Sequence, residues 1–438
     1  MTGMSLSRRS FSLAMYGAVA AAPQVLGAND RIHVGIVGLG GRGKDHVDFL
    51  LPMANCRVAA LCDVDSARLE REETRVGNET GTKPAAYRDM RQIFDDKEID
   101  AVTLVTPNHW HALATIWACQ AGKDVYSEKP ACHNIFEGRR MVDAARKYKR
   151  VVQIGHQSRS VGHKREAIAL LNDGIIGKVY MAKGLCFKRR LSIGRKPDGP
   201  VPPGVDFDKW LGPAPMRAFN PNRFHYNWHW FWDTGNGDIG NQGAHEMDIA
   251  LWGLGGELPD NVVSTGGKYV YDDDQETPNT QLATYNYGDR EIVFEVRGVI
   301  TGGEAGMRPQ GKETVNTIGN LFLGADGWME VDAKGYKVYK GENHQLVKES
   351  GIHEKREHDT APHFQNWLDA CHSRRAEDLH CDVEVGVRAA TLCHMANVSY
   401  RVGRSLKYDP KRHWFADADA NRLATREYRK PYVVPEKV

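Results

Sequence analysis

Several things are missing from this 438-residue sequence, and each absence removes a class of protein. Eight cysteines (Cys56, Cys62, Cys119, Cys132, Cys186, Cys371, Cys381, Cys393) are scattered, with no Cys-x-x-Cys pair. That argues against a zinc ribbon, a thioredoxin-type site or a disulfide scaffold. Most read as small buried hydrophobes, with a bridge such as Cys371–Cys381 as the alternative. The net charge is only +2, which gives no field to draw nucleic acid or an anionic membrane. The densest positive cluster, Lys188-Arg189-Arg190, reads as a solvated loop able to meet an anionic substrate. There is no internal repeat and no low-complexity segment. Past the N-terminus nothing approaches ~18 uninterrupted apolar residues, so no membrane-spanning helix is expected. The pairs His109/His111 and His225/His229 lack the accompanying Cys, Asp or Glu spacing of zinc motifs, so no metal is expected.

What remains is ordinary globular composition, 41% hydrophobic and 26% charged, over a length that suggests two to three units. At the N-terminus, Ser7-Arg8-Arg9-Ser10-Phe11 precedes a short apolar stretch, Leu13 to Ala22, and the small residues around Gly27 and Ala28. Basic head, apolar middle and small-residue end form an export signal, and the paired arginines with Phe resemble the twin-arginine (Tat) type. A disordered basic tail is the other reading. Residues 1–28 are therefore expected to be removed and the mature protein to be exported to the periplasm, with no further membrane association.

Residues 31–156 alternate short apolar runs with helical periodicity. Strands are expected at Ile32–Val37, Val58–Cys62, Asp100–Val105, Val125–Ser127 and Val151–Ile154. Helices are expected from about Gly43 to Leu51, over 66–77, from His109 to Ala121 and from Ile135 to Tyr148. That alternation makes a doubly wound parallel α/β sheet, a Rossmann domain. From Val179 the strand-like runs (Val179–Phe187, Val262–Tyr271, Gln281–Tyr287, Glu291–Val299, Asn316–Leu323, Gly327–Val331, Tyr336–Tyr339) follow one another without regular helices. They imply an α+β domain, residues 157–405, on a large and mostly antiparallel sheet. Gly194–Pro221, rich in Pro and Gly, reads as a long loop over one face. Two late helices, His363–Ser373 and Val383–Val402, read as amphipathic and packed on both domains, with 406–438 as a C-terminal extension. The open face of such a sheet favours a homodimer or homotetramer.

Gly38-Leu39-Gly40-Gly41-Arg42-Gly43 is G-x-G-x-x-G set between a strand and a helix. Gly38 permits the tight turn, Gly40 lets the backbone approach a pyrophosphate, and Gly43 lets helix and strand pack closely. Asp63, about twenty residues on, ends the next strand, where a carboxylate accepts the ribose hydroxyls and repels a 2′-phosphate. NAD is therefore favoured, while Arg42 keeps NADP open. Asp63 is also placed to cap the following helix.

Thr106-Pro107-Asn108-His109-Trp110-His111-Ala112, Glu128-Lys129-Pro130, Gly235-Asn236-Gly237 and Asn241-Gln242-Gly243-Ala244-His245-Glu246-Met247-Asp248 together resemble the Gfo/Idh/MocA oxidoreductases over residues 31–405. The resemblance implies that Thr106, Pro107 and Asn108 lie near the nicotinamide, that Lys129 sits beside the hydride-transfer centre, and that His245 is the acid–base residue. His111 and Glu128, within the same motifs, join the expected cofactor contacts. The chemistry suits these types: oxidising a carbinol carbon requires removal of the hydroxyl proton, which a histidine takes, while an ammonium stabilises the developing alkoxide. Many family members carry Asp where this chain has Asn241; an amide orients but takes no proton, so Asp238 or Asp248 would have to replace that carboxylate. Gln157 and Arg159, past the last Rossmann strand, are expected near the ligand crevice. Trp228 and Trp232, in the aromatic run Arg223–Trp232, are expected to pack on sugar CH faces. Domain-hinge hydrogen bonding and core packing are the competing roles for these four.

The expected activity is hydride transfer between a sugar or polyol carbon and a tightly bound nicotinamide cofactor. The alternatives are a redox-neutral NAD-dependent glycosidase or lyase, and a binding protein without catalysis. Family glycosidases carry a Tyr-Pro-Thr-His-Gly type motif at the catalytic histidine, unlike Asn-Gln-Gly-Ala-His here.

Overall fold

The computed structural model describes residues 31–307, 316–351 and 360–438. The expected signal at 1–28 lies outside the described residues.

Strand β1 (Ile32–Val37) is β-branched and buried nearly throughout, as a strand covered by helices on both faces must be. It leads into α1 (Gly41–Leu50), β2 (Cys56–Cys62), α2 (Ser66–Thr80), β3 (Ala85–Tyr87), α3 (Met90–Asp95) and β4 (Ala101–Leu104). The half closes with α4 (Asn108–Gln120), β5 (Asp124–Ser127), α5 (Ile135–Lys147) and β6 (Val152–Ile154). The strands pair in the order β3-β2-β1-β4-β5-β6, every neighbour parallel. The order reverses between β1 and β4, so a ligand crevice opens beyond their carboxyl ends. The edge strand β3 was not expected: three largely exposed residues carry no apolar run.

After α6 (Gly162–Asn172) comes β7 (Val179–Phe187), which lies mid-sheet in the second domain. The loop that follows holds α7 (Phe207–Leu211), and two short helices, α8 (Gly237–Gly240) and α9 (Gly243–Gly253), precede the remaining strands. These are β8 (Asn261–Gly267), β9 (Thr280–Asn286), β10 (Glu291–Arg297), β11 (Thr317–Gly324), β12 (Gly327–Asp332), β13 (Tyr336–Lys340) and β14 (Gln345–Glu349). With β15 (Leu406–Asp409) and β16 (Trp414–Phe415) from late in the chain, the ten-stranded order is β14-β13-β12-β11-β7-β10-β9-β8-β15-β16, antiparallel except for β7 against β10. Along β10, Ile292, Phe294 and Val296 are buried and alternate with half-buried neighbours, so one sheet face is covered. Helix α9 lies on that face, against β7 and β11.

The late helices are α10 (Thr360–Ser373) and α11 (Val383–Val402). The expectation that α11 is amphipathic is corrected: fourteen of its twenty residues are buried, eleven of them in an unbroken run from Ala389 to Ser399. The reason is its position between α5 and β6 on one side and α9 and β8 on the other. The chain then forms β15 (Leu406–Asp409), β16 (Trp414–Phe415) and α12 (Ala418–Leu423). Its last residues return to the Rossmann domain, with the Tyr432 ring 5.3 Å from Trp110. All eight cysteines are free and buried, Cys371 and Cys381 included.

The segment 194–221 is largely irregular and is laced to the end of β2. Ser66 N–H donates to the Gly204 carbonyl (3.1 Å), Asp206 N–H donates to the Val64 carbonyl (2.9 Å), and Arg88 Nη2 reaches the Gly204 carbonyl (2.7 Å). Trp210, Leu211, Phe219 and Phe224 form a small apolar cluster that holds this strap in shape.

Candidate functional site

A cavity of about 900 Å³ opens at the carboxyl ends of β1 and β4 and runs to the second domain. Its Rossmann wall is the glycine turn. Gly38 has φ +93°, and a Cβ there would lie 2.7 Å from the Val105 carbonyl oxygen. At Gly43 a Cβ would lie 2.0 Å from the Gly38 oxygen, so neither position tolerates a side chain. Gly40 and Gly41 also line the cavity. Gly40 caps α1 with no side-chain hydrogen bond, leaving the first N–H groups of the helix to an anion.

Asp63 follows β2. Its Oδ2 accepts the Leu39 N–H (2.6 Å) and its Oδ1 the Asp65 N–H (2.8 Å), which fixes the carboxylate under the turn. Burial pushes this carboxyl up, and the two N–H donors oppose the shift. Asp63 does not cap α2; Asp65 does, accepting from Ala67 N–H, because it sits one residue before the helix. Arg42 is not a free cation. Its Nε donates to Glu128 Oε1 (2.8 Å), which also lies 2.9 Å from His46 Nε2. Burial alone would raise the Glu128 carboxyl, but Arg42 and His46 hold it well below the usual range. Glu128 Oε2 accepts the Lys129 N–H (3.2 Å), so this ion pair also sets the turn that carries Lys129.

Thr106, Pro107 and Asn108 line the cavity. Asn108 Nδ2 donates to Asn236 Oδ1 (3.0 Å), joining the two domains. His111 has Nδ1 2.7 Å from the Pro130 carbonyl and Nε2 2.8 Å from that of Thr106, so it clasps the two turns together. The Lys129–Pro130 peptide is cis. Thr106 Oγ1 and Gln157 Oε1 are buried in this wall without a hydrogen-bond partner among the described residues. Helix start, glycine cradle, Asp63 and these two orphaned oxygens fit a dinucleotide with its polar atoms turned to the protein.

Lys129 and His245 come from different domains and face the same cavity. Lys129 Nζ donates to the Asn241 carbonyl (2.9 Å). Burial pushes its ammonium down to about 8, against the opposing field of Glu128. His245, near the start of α9, has Nδ1 walled off by protein. Burial, then the nearby charge of Lys129, holds its imidazole well below the usual histidine range, so it is neutral at pH 7. His156 stands edge-on to it, ring centres 6.0 Å apart. Asn241 lines the cavity, and its contribution to Lys129 is a main-chain oxygen.

Trp228 lines the cavity, but the other two expected substrate contacts do not. Arg159 is turned into the protein. Its Nε and Nη2 donate to Asp248 at 2.8–3.0 Å, and its guanidinium lies 4.6 Å from the Trp252 ring centre. Trp232 faces a separate cavity of about 270 Å³, with Arg401 stacked on it. Neither Asp238 nor Asp248 replaces a carboxylate at position 241. Asp238 is held by Arg190 Nη2 (2.6 Å) and Nε (2.9 Å), as Asp248 is by Arg159. Among the described residues no group of three or more His, Cys, Asp or Glu side chains is arranged to hold a metal, and no helix is long and apolar enough to cross a membrane.

The second-domain wall contains Lys188, from the basic run, and residues the sequence did not single out: Ser158, Lys164, Gln242, Glu246 and Asn320. Burial raises the Glu246 carboxyl to about 7. Its signal in the sequence is its place in α9 directly after His245.

A glycine cradle on a six-stranded doubly wound sheet, closed by a second domain that brings its own histidine, defines a two-domain NAD-binding oxidoreductase. Residues 32–156 match the oxidoreductase family, NAD-binding Rossmann fold, and residues 170–290 and 328–434 match the oxidoreductase family, C-terminal alpha/beta domain. The chain belongs to the Gfo/Idh/MocA oxidoreductase family. Curated relatives include glycosyl hydrolase family 109 protein 1 of a Shewanella species (strain MR-4), 28% identical over 155 residues, 34% of this chain and 33% of the relative. A family 109 protein of Shewanella pealeana is 29% identical over 171 residues, 36% of this chain and 37% of the relative. The chain thus spans about a third of the length of these relatives. Among solved structures, the WlbA dehydrogenase from Bordetella pertussis, in complex with NADH and UDP-GlcNAcA, superposes with TM-score 0.63 at 18% identity, covering 86% of this chain and 99% of that one. The aldose-aldose oxidoreductase from Caulobacter crescentus, complexed with glycerol, gives 0.64 at 18% identity with the same coverage. These likenesses show the fold.

Proposed function

We propose that the protein oxidises a hydroxyl-bearing carbon of a sugar or polyol, using an NAD that it holds tightly. The observation that carries this reading is the meeting of Lys129 and His245, from separate domains, in the cavity that the glycine turn lines. NAD, when bound, supplies the hydride acceptor. His245 Nε2, the ring nitrogen not walled off, takes the hydroxyl proton, and the low basicity of the imidazole keeps it unprotonated before substrate arrives. Lys129, charged at neutral pH, stabilises the developing alkoxide and is aimed by the Asn241 carbonyl. Trp228 offers an apolar face to the substrate's CH groups.

Retention is supported by the strap, whose bonds to Val64 and Ser66 lie just beyond Asp63. An exported enzyme meets no useful pool of free NAD, so the expected Tat signal points the same way: a retained cofactor would have to be restored on the enzyme, by a second substrate or by the oxidised intermediate. The names of the curated relatives favour a second reading on the same chemistry, redox-neutral cleavage of a glycoside. The test is to purify the protein without added cofactor, denature it and identify released nucleotide by mass spectrometry, then assay sugars, sugar pairs and aryl glycosides. Empty protein that works only with excess free NAD and accumulates NADH overturns retention. Aryl release without net NADH selects the glycosidase reading.

A further inference from the structure

We propose that the substrate carries an acidic group, a carboxylate or a phosphate, which Lys188 binds on the second-domain wall of the cavity. This rests on the sugar-oxidoreductase reading above and names its substrate class. Lys188 opens the basic run Lys188-Arg189-Arg190 and is the first residue past the end of β7. The run does not act as a unit. Arg190 is turned away and held by Asp238, with a further contact to Tyr226 Oη at 3.2 Å. Arg189 is absent from the cavity wall, whereas Lys188 is part of it.

Among the described residues the hydrogen-bond partner of Lys188 Nζ is the amide oxygen of Gln242 (2.8 Å), a neutral group. Lys129 Nζ is likewise held by a neutral group, the carbonyl of the adjacent residue Asn241. Two ammonium groups are thus presented to one cavity by neighbouring residues, and no described carboxylate forms an ion pair with either. Glu246, the acid on this wall, accepts long contacts from Gln242 Nε2 (3.4 and 3.5 Å) and lies in the field of Lys164 and Lys188, without forming an ion pair with Lys188. Arg159 and Arg190, the cations turned away from the cavity, each pair with a carboxylate. Lys188 is instead oriented by an amide and left with donors to spare, which suits an anion brought by the ligand. Lys129 is committed to the reacting hydroxyl, so the acidic group falls to Lys188, away from the carbon that is oxidised.

The experiment compares D-glucose, D-glucuronate and D-glucose 6-phosphate on the holoenzyme, by calorimetric Kd and by kcat/KM from nicotinamide absorbance. Wild type is expected to prefer at least one charged sugar over glucose by roughly tenfold or more, and which one it prefers separates carboxylate from phosphate. Lys188→Gln is expected to collapse that ratio towards one, and Lys188→Arg to keep most of it. Turnover of glucose with no preference for either acid overturns this proposal and leaves the parent reading standing. So does a preference that survives Lys188→Gln. Neither binding nor turnover of any of the three overturns both. The wild-type comparison stands alone should the glutamine variant fail to fold.

Discussion

Replacing Arg159 by methionine separates a structural arginine from a substrate-binding one. Arg159 is 6% exposed and Asp248 0% exposed, and the two share three hydrogen bonds of 2.8–3.0 Å. With the guanidinium gone, the nearest remaining positive candidate is His156 Nδ1, 3.9 Å from Asp248 Oδ2, whose imidazole burial holds in the neutral form. Removing one partner of a buried pair costs about 3–5 kcal/mol, because the other charge stays buried without compensation. Since ~1 kcal/mol moves the Tm of a cooperative unit as large as the two domains together by about 1 °C, the melt should fall by roughly 3–6 °C. The double variant Arg159→Met with Asp248→Leu should recover most of that loss, as apolar replacement of a whole buried pair is often neutral. The assay is a thermal melt of holoenzyme alongside KM for a sugar that supports turnover. A single variant with an unchanged melt and a KM raised manyfold would refute the reasoning and return Arg159 to the substrate.

Lys129→Met and His245→Ala should each lower kcat by roughly a hundredfold or more with little change in Tm, whereas Asn241→Ala should do less, because alanine keeps the carbonyl that aims Lys129; near-normal turnover removes a residue from the mechanism. The rate of oxidation should fall as pH rises through about 8, where the Lys129 ammonium loses its proton, and should hold level down to the ordinary histidine range, since the His245 imidazole stays neutral there; a rate that climbs through pH 8 contradicts a charged Lys129. KM should inflect near pH 7, where Glu246 titrates, and Glu246→Gln should flatten it; an inflection that persists in the variant belongs to another group. NAD should bind about tenfold or more tighter than NADP, with Asp63→Asn narrowing the gap because the amide keeps an acceptor but removes the charge; tighter NADP binding in the wild type would sink the assignment of Asp63.

The parts of the molecule that were legible in the sequence are those whose cause is local. Gly38, Gly43 and Asp63 are fixed by one strand-turn-helix unit, and β1, β2 and β4 announce themselves as short apolar runs. Lys129 and His245 were readable through the motifs around them, although nothing in the chain says that they meet. What escaped depends on distant partners. Arg159 and Trp232 look like ligand contacts until Asp248 and Arg401 are seen beside them. Lys188 and Glu246 join the cavity only because β7 and α9 pack against each other. The strands β3, β14, β15 and β16 are edge or terminal pieces, held by pairing rather than by an apolar run of their own.

Helix α11 has a thermodynamic consequence. Val383, Val387 and Ala390 belong to the core beneath the Rossmann sheet, while Ala389, Leu392, Cys393, Met395 and Ala396 belong to the core of the second domain. The first turns of one helix and its later turns therefore complete two interiors at once. Neither half has a finished core until the helix, encoded after nearly every strand of both sheets, is in place. The two domains then share one unfolding equilibrium: calorimetry should give a single endotherm, and a cavity cut at Leu392 or at Val387 should lower the same transition.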